Sequence, residues 1–267
     1  MAEGINSARI DSTAGDEDIA RLLWAAQRTA TPLSHPSAPG LDIAAGHAVQ
    51  AAGLALRTAA GERVGGRKVG LTSRAAQQAM SAHEPVSGYL PASTIGAAAP
   101  EFDCAGLVAP RVEVEIAFLL VRDLDGPDVT AAQVRAASAH LALAFEVVDS
   151  RWAGGPPGVG ALLADDVSAA AVIVGAEADP AADLTGLRVT GHVGDVRVDG
   201  DAGNVMGDPA RAVAWLCADL HRRGDGLRAG DLVLSGALCG PTPVRPGDAV
   251  EADFGDLGSL ATVFVTG

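Results

Sequence analysis

The sequence predicts an α+β chain with one dominant β core, and three observations carry that prediction. Roughly the first sixty residues show helical periodicity, and the longer remainder is rich in alternating or fully apolar strand-like runs. No internal repeat and no Pro/Gly/Ser-rich linker separates the two parts. The chain has 267 residues, 48% of them hydrophobic, enough to bury a sizeable core and too apolar for a disordered chain. The organisation read from this is a helical N-terminal region over 1–62 followed by a β-rich core over 63–267.

The elements follow in order. Residues 1–15 read as a loose tail. Over 16–30, Ile19, Leu22, Leu23 and Ala26 recur at i, i+3, i+4 and i+7, one face of a helix. Pro32, Pro36 and Pro39 break the chain, and a second helix is expected over about 42–60, ending near Gly61. Residues 67–71 predict a short strand, and Ser73 a cap for a short helix through Met80. Residues 111–121 alternate and then become apolar, as a strand entering a core does. Thr130-Ala-Ala-Gln133 is a capping-box pattern opening a helix to about His140, and 141–149 predicts another strand. Gly154-Gly-Pro-Pro-Gly158 must be a loop. Strands are expected over 168–175 and 186–198. Asp208-Pro209 then opens a helix that Gly224 stops. Residues 231–235, 248–254 and 259–265 return to strands, with Pro246-Gly-Asp248 as a turn.

Charge narrows the function classes. Nineteen basic against 33 acidic residues leave a net charge of −14, which argues against general affinity for nucleic acid or anionic membrane. Aromatics are only 3%, too few for single-strand stacking platforms. No apolar run approaches the ~20 residues of a membrane span, and the acidic N-terminus lacks a signal peptide's apolar stretch. Cys104, Cys217 and Cys239 are too few and too scattered for a disulfide framework or a zinc site. A cytoplasmic protein is expected.

The basic side is itself lopsided, with 18 arginines and one lysine, Lys68. Arginine keeps its proton at working pH, whereas burial and neighbours can tune a lysine toward neutrality. An amine needed for proton transfer is therefore Lys68 or the N-terminus. Lys68 lies between Gly66 and Gly70, where the backbone can approach a ligand closely; an ordinary surface lysine fits the same pattern. A phosphate loop is rejected, because Gly66 is followed by Arg67 and Lys68 by Val69.

Glu113 and Glu115 are two apart on a predicted strand, so both side chains share one face. A third acid, Glu146, sits among apolar residues in another predicted strand, where an unpaired charge is costly to bury. Three converging carboxylates would suit a hard divalent cation, Mg²⁺ or Mn²⁺. A half-exposed strand with both Glu113 and Glu115 in water, and Arg111 or Arg151 neutralising Glu146, fits equally well at this level. The six histidines show no metal-ligand or triad spacing, and Ser73 and Ser235 lack a Gly-x-Ser-x-Gly elbow.

The order of motifs is more specific than any one of them. Gly66-Arg-Lys-Val-Gly-Leu-Thr-Ser73 is followed by Glu84-Pro85, Gly88-Tyr-Leu90 and Pro110-Arg-Val-Glu-Val-Glu-Ile116. Then come Glu146-Val-Val-Asp-Ser-Arg151, Ala164-Asp165, Ala212-Val-Ala-Trp-Leu216, Ala229-Gly-Asp, Ser235-Gly-Ala, Pro246-Gly-Asp248 and Asp253-Phe-Gly-Asp-Leu-Gly258. Over about residues 16–265 this resembles the 2-oxopent-4-enoate (2-keto-4-pentenoate) hydratase and 4-oxalocrotonate decarboxylase branch of the fumarylacetoacetate hydrolase superfamily. The resemblance implies a mixed β-roll core with a helical N-terminal region. It implies a Mg²⁺ or Mn²⁺ site made by Glu113, Glu115 and Glu146, and it puts Lys68 in the active site.

Four departures fall near the expected substrate loops. Ala164-Asp-Asp-Val-Ser168 stands for the family's Ala-Asp-Asn-Ala-Ser, and Gly207-Asp208-Pro209 for Gly-His-Pro. Trp152 leads into a Gly/Pro loop, and Pro85-Val-Ser-Gly88 replaces the hydratases' Pro-Asp-Phe-Gly with an apolar form closer to the decarboxylases. The implied function is a metal-dependent lyase adding water to a 2-hydroxy-dienoic (2-oxo-enoic) acid through a metal-stabilised enolate. Lys68 would handle the proton, with Thr72, Arg111 and Ser168 as substrate-binding candidates. The alternatives are decarboxylation of a related 2-oxo acid such as 2-oxo-3-hexenedioate, and a catalytically weakened partner protein. The expected ligand is a small 2-oxo or 2-hydroxy acid. No nucleic acid or membrane is expected as a partner, and a homo-oligomer follows from the resemblance alone.

Overall fold

The computed structural model describes residues 14–34 and 40–267, so the tail reading over 1–13 and the breaks at Pro36 and Pro39 lie outside the described residues. Two helices come first. Helix α1 (Asp16–Thr29) has Asp16, Glu17 and Asp18 in its first turn and Arg28 in its last, the arrangement the helix dipole favours. Helix α2 (Ile43–Ala59) is capped by Asp42, whose carboxylate accepts from the Ala45 amide at 2.8 Å. Ile19, Leu23 and Ala26 of α1 and Val49 of α2 pack with Leu33, Trp152, Ala161 and Ala164 in one apolar cluster.

The β-rich part starts at β1 (Val64–Gly70) and continues through α3 (Arg74–Ala79), β2 (Val86–Pro91), β3 (Ile95–Ala97) and β4 (Glu101–Asp103). Next come β5 (Arg111–Leu120), α4 (Ala131–Ala137), β6 (Ser138–Val148), α5 (Val159–Ala164) and β7 (Ala169–Ala178). The chain ends with β8 (Arg188–Val193), β9 (Val196–Asp201), α6 (Pro209–Arg222), β10 (Leu232–Ala237), β11 (Thr242–Pro243), β12 (Ala249–Asp253) and β13 (Ser259–Val265).

The strands form two sheets. One runs β2-β1-β10-β5-β6-β7-β3, with β11 also paired to β5, and the other runs β4-β13-β12-β8-β9. The first is mixed, since β1–β10 and β3–β7 are parallel and the other neighbours antiparallel. Strand β2 also touches β7, so the sheet curls on itself. Val112, Val114, Ile116 and Phe118 of β5 and Leu141, Leu143, Phe145 and Val147 of β6 fill the main core together with α6 and the second sheet. Their alternate neighbours look the other way, and the site lies there.

Several elements match the sequence reading closely. Ser73 caps α3 through the Ala76 amide, Thr130 and Gln133 form the reciprocal capping box, and Asp208 caps α6 with Pro209 in its first turn. Others differ for identifiable reasons. Helix α4 stops at Ala137 rather than near His140, because Ser138 already belongs to β6. The single strand expected over 186–198 is a hairpin that turns at Gly194, where φ is +54°. Helix α5 follows the Gly154–Gly158 loop, in a stretch to which the sequence reading assigns no element; at six residues it is too short to display a helical period. Strand β2 is buried at every position, so alternation could not reveal it. Among the described residues, no helix is long and apolar enough to cross a membrane.

Candidate metal centre

Strands β5 and β6 pair with Glu113 directly opposite Glu146 and with Glu115 opposite Ala144. Residues paired this way point to one face, and period 2 adds Glu115 to it. One carboxylate oxygen from each of Glu113, Glu115 and Glu146 lies within 4.8 Å of the other two. Glu115 is 1% exposed, Glu146 is fully buried and Glu113 is half-buried.

Like charges directly across a ladder repel, and burial removes the water that would screen them. Lys68 answers part of this. It is 2% exposed, and its Nζ lies 2.8 Å from Glu146 Oε1. The Gly236 amide donates to Glu115 Oε2 at 2.8 Å. The lysine contact is a buried ion pair, and Lys68 is the only cation that meets Glu146 among the described residues. Burial pushes Glu113 up to about 7, with Lys68 pulling down and Glu146 pushing further up. Burial likewise holds Glu115 well above the usual carboxylate range, and Glu146 and Glu113 add to it. Glu146 is raised by burial against the pull of Lys68. For Lys68, burial works against the charge, but the carboxylates, Glu146 first, outweigh it and hold the amine above the usual lysine range, so without a cation the amine is not tuned toward neutrality as its lone status suggested.

With all three ionised, the carboxylates against one ammonium would carry two net negative charges, the charge one divalent cation would cancel. The convergence of the three carboxylates and the all-oxygen donor set fit a hard cation.

The local backbone explains why these side chains meet. Lys68 faces Gly88 across β1 and β2. A Cβ at Gly88 would stand 3.0 Å from Lys68 Cγ and 3.1 Å from the Asp166 carbonyl, so the lysine stem lies against bare backbone. A register shift in β10 between Leu234 and Ala237 turns the Gly236 amide toward Glu115. Gly236 has φ +113°, and a Cβ there would be 2.5 Å from Thr72 Cγ2, so the position admits glycine alone.

Thr72 is therefore beside the Glu115 contact, buried at 8% exposure. Arg111 starts β5 on the face of Glu113, exposed, and its charge eases the burial of that acid. Ser168 is buried, with Oγ 3.4 Å from Asp165 Oδ2. Arg151 is fully committed elsewhere. It pairs with Asp165 and donates to the carbonyls of Asp149, Ala169 and Asp165. It braces the turn behind the site.

Sequence reasoning missed three contributors. Asp149 accepts from the Val108 and Ala109 amides at 2.8 and 2.7 Å and so fixes the approach to β5. The Val167 carbonyl accepts from Lys68 Nζ at 3.0 Å. Gln50 of α2 reaches the same turn through Asp166. Asp149 and Asp166 lie inside the quoted motifs, so their signal was present as residue type without a partner. Gln50 carried none. Beside Lys68, Val86 and Val167 close over Gly70 and form an apolar cluster with Leu162 and Leu163.

Residues 61–265 match the family model for the fumarylacetoacetate (FAA) hydrolase C-terminal domain. The chain is 36% identical over 242 residues to a 2-hydroxyhexa-2,4-dienoate hydratase of Comamonas testosteroni, covering 89% of this chain and 91% of that one. It is 37% identical over 249 residues to a 2-keto-4-pentenoate hydratase of Burkholderia vietnamiensis, covering 91% and 94%. Its fold is similar to that of the 4-oxalocrotonate decarboxylase from Pseudomonas putida G7 solved with magnesium and adipate. There the TM-score is 0.88 at 27% identity, over 94% of this chain and 97% of that one.

Proposed function

The chain belongs to the fumarylacetoacetate hydrolase family, and from that premise we propose that it is a divalent-metal-dependent lyase of the 2-keto-4-pentenoate hydratase type. It adds water to a small 2-hydroxy-dienoic (2-oxo-enoic) acid. The observation that carries the proposal is the buried set of Glu113, Glu115 and Glu146 with Lys68 paired to one of them.

Glu113, Glu115 and Glu146 would hold Mg²⁺ or Mn²⁺, since oxygen-only donors suit hard cations. When bound, such an ion supplies Lewis acidity toward the oxygens of a 2-oxo acid and neutralises negative charge there. Lys68 holds the proton that the dienol–ketone tautomerisation moves. Its Nζ is the chain's one lysine amine, and its position between Glu146 Oε1 and the Val167 carbonyl limits where that proton can go. After tautomerisation, the α,β-unsaturated ketone accepts water at C4. Arg111, exposed at the start of β5, draws an anionic substrate into a chain of net charge −14. The Thr72 and Ser168 hydroxyls supply hydrogen bonds to its carboxylate.

Decarboxylation is the second reading. The fold likeness to a decarboxylase and the apolar Val86 and Val167 beside Lys68 favour it, because loss of CO₂ needs no activated water. Incubation of the Mg²⁺- or Mn²⁺-loaded enzyme with 2-hydroxypenta-2,4-dienoate and, separately, with 2-oxohex-3-enedioate separates the two. Formation of 4-hydroxy-2-oxopentanoate supports hydration, and CO₂ release from the dicarboxylate without hydration of the dienoate replaces it with decarboxylation.

A further inference from the structure

The carbonyl that receives Lys68 sits in the most strained backbone of the site. Asp166, Val167 and Ser168 have φ of 48°, 52° and 58°, three successive side-chain-bearing residues in the left-handed region. For a β-branched residue such as Val167 this is a genuine outlier. Such a turn persists only where its surroundings over-determine it.

Two contacts do so from outside the turn. Asp166 Oδ1 accepts from the Tyr89 amide of β2 at 3.0 Å and from Gln50 Nε2 of α2 at 3.0 Å. Gln50 Nε2 also donates to the Ser87 carbonyl at 2.8 Å, and Gln50 is only 6% exposed. Helix α2 is itself pressed onto α5, the helix leading into the turn, because a Cβ at Gly46 would stand 2.4 Å from the Gly160 carbonyl oxygen. The buried amide of Gln50 therefore ties a helix of the N-terminal region to the turn beside Lys68.

We propose that Gln50 and Asp166 are positioning residues that fix the Val167 carbonyl and, through it, the direction of the Lys68 ammonium. Neither touches the carboxylate cluster in the structure, since Gln50 bonds Ser87 and Asp166, and Asp166 bonds Gln50 and Tyr89. The effect on turnover rests on the assignment of Lys68 as the proton-handling group; the geometric claim does not.

The sequence offers a readout that separates the two. Lys68 is the chain's one lysine, so ¹⁵N,¹³C-lysine labelling of the full chain gives a single side-chain ammonium signal. In the wild type, an ammonium held by Glu146 and the Val167 carbonyl must exchange its protons slowly. A fast-exchanging, solvated signal overturns the proposal without any variant. Gln50→Leu, or Gln50→Met if the first does not fold, is expected to move or broaden that signal. Either should lower kcat at least fivefold, with KM and Mn²⁺ affinity within twofold of wild type. Asp166→Asn keeps the acceptor oxygen and is expected to retain the wild-type signal and most of kcat. An unmoved signal in the Gln50 variants overturns the proposal. A moved signal with unchanged kcat leaves the positioning claim standing and rejects the role of Lys68 in turnover.

Discussion

Asp166→Asn also makes a sharp prediction for stability, with a sign that can be worked out in advance. Burial pushes the Asp166 carboxyl up to about 7, although the Tyr89 amide and the charge of Arg151 pull the other way. In the unfolded chain an aspartate titrates near 4. Between those values the folded chain binds the extra proton, so wild-type stability falls as pH rises through the window and levels off above about 7. Each pH unit inside the window is worth about 1.4 kcal/mol. From pH 5 to pH 7 that amounts to about 3 kcal/mol that Asp166→Asn does not lose. The amide retains an oxygen for Tyr89 and Gln50, so the variant should match wild type near pH 4, and its advantage should grow by about 2–3 kcal/mol between pH 5 and pH 8. Urea unfolding of both proteins in chelator at several pH values measures this. The raised Glu113 and Glu115 titrate in both chains and cancel in the difference. A difference flat within about 0.5 kcal/mol from pH 5 to 8, or one of opposite slope, refutes the reasoning.

Other perturbations test the site directly. Glu113→Ala or Glu146→Ala is expected to abolish metal-dependent turnover. Mn²⁺ at about a hundred times its Kd should raise the wild-type melting temperature by roughly 5–10 °C and leave these variants unmoved; undiminished activity in either would reject the triad. Lys68→Arg keeps the charge but not an amine proton that can be transferred, so kcat should fall about a hundredfold or more, and near-wild-type kcat would defeat the proton-transfer role. Gly236→Ala places a Cβ 2.5 Å from Thr72 Cγ2 at φ +113°. Strain and overlap together should cost roughly 2–4 kcal/mol, seen as a melting temperature lower by about 5–15 °C with weaker Mn²⁺ binding. An unchanged melt would show that the β10 bulge is not fixed by Thr72.

Period-2 logic made the site legible to a useful depth. Glu113 and Glu115 share a face because strands alternate, and Glu146 drew attention as an acid in an apolar run. Their convergence needed the register, which sets Glu113 opposite Glu146, and no local pattern encodes that. Lys68 stood out by composition, yet its partners Glu146 and the Val167 carbonyl lie 78 and 99 residues away along the chain. Backbone reversals were the least legible. The left-handed turn at Asp166–Ser168 contains no glycine to announce it, and its support comes from Gln50, an unremarkable helix residue more than a hundred positions earlier. Arg151 shows the converse. Its place in the motif suggested a partner for Glu146, whereas in the structure it is buried against Asp165 and braces the turn.

The arrangement also explains how the sheet tolerates a repulsive centre. Glu113 and Glu146 oppose each other within the ten-residue strand β5 and its long partner β6, which pair continuously from Arg111↔Val148 to Leu119↔His140. On the opposite face, Val112, Val114, Ile116 and Phe118 are at most 1% exposed, and their burial anchors the ladder independently of the acids. One face of the same two strands therefore supplies stability while the other stores uncompensated charge. Lys68 offsets one of the three carboxylates, and the other two carry the charge a cation would draw out of them. In a chain of net charge −14, a cation that ionises and neutralises these acids would turn the centre from repelling an anion to attracting one. Cation and anionic substrate should therefore bind in that order, with the exposed Arg111 positioned to act on the substrate's approach.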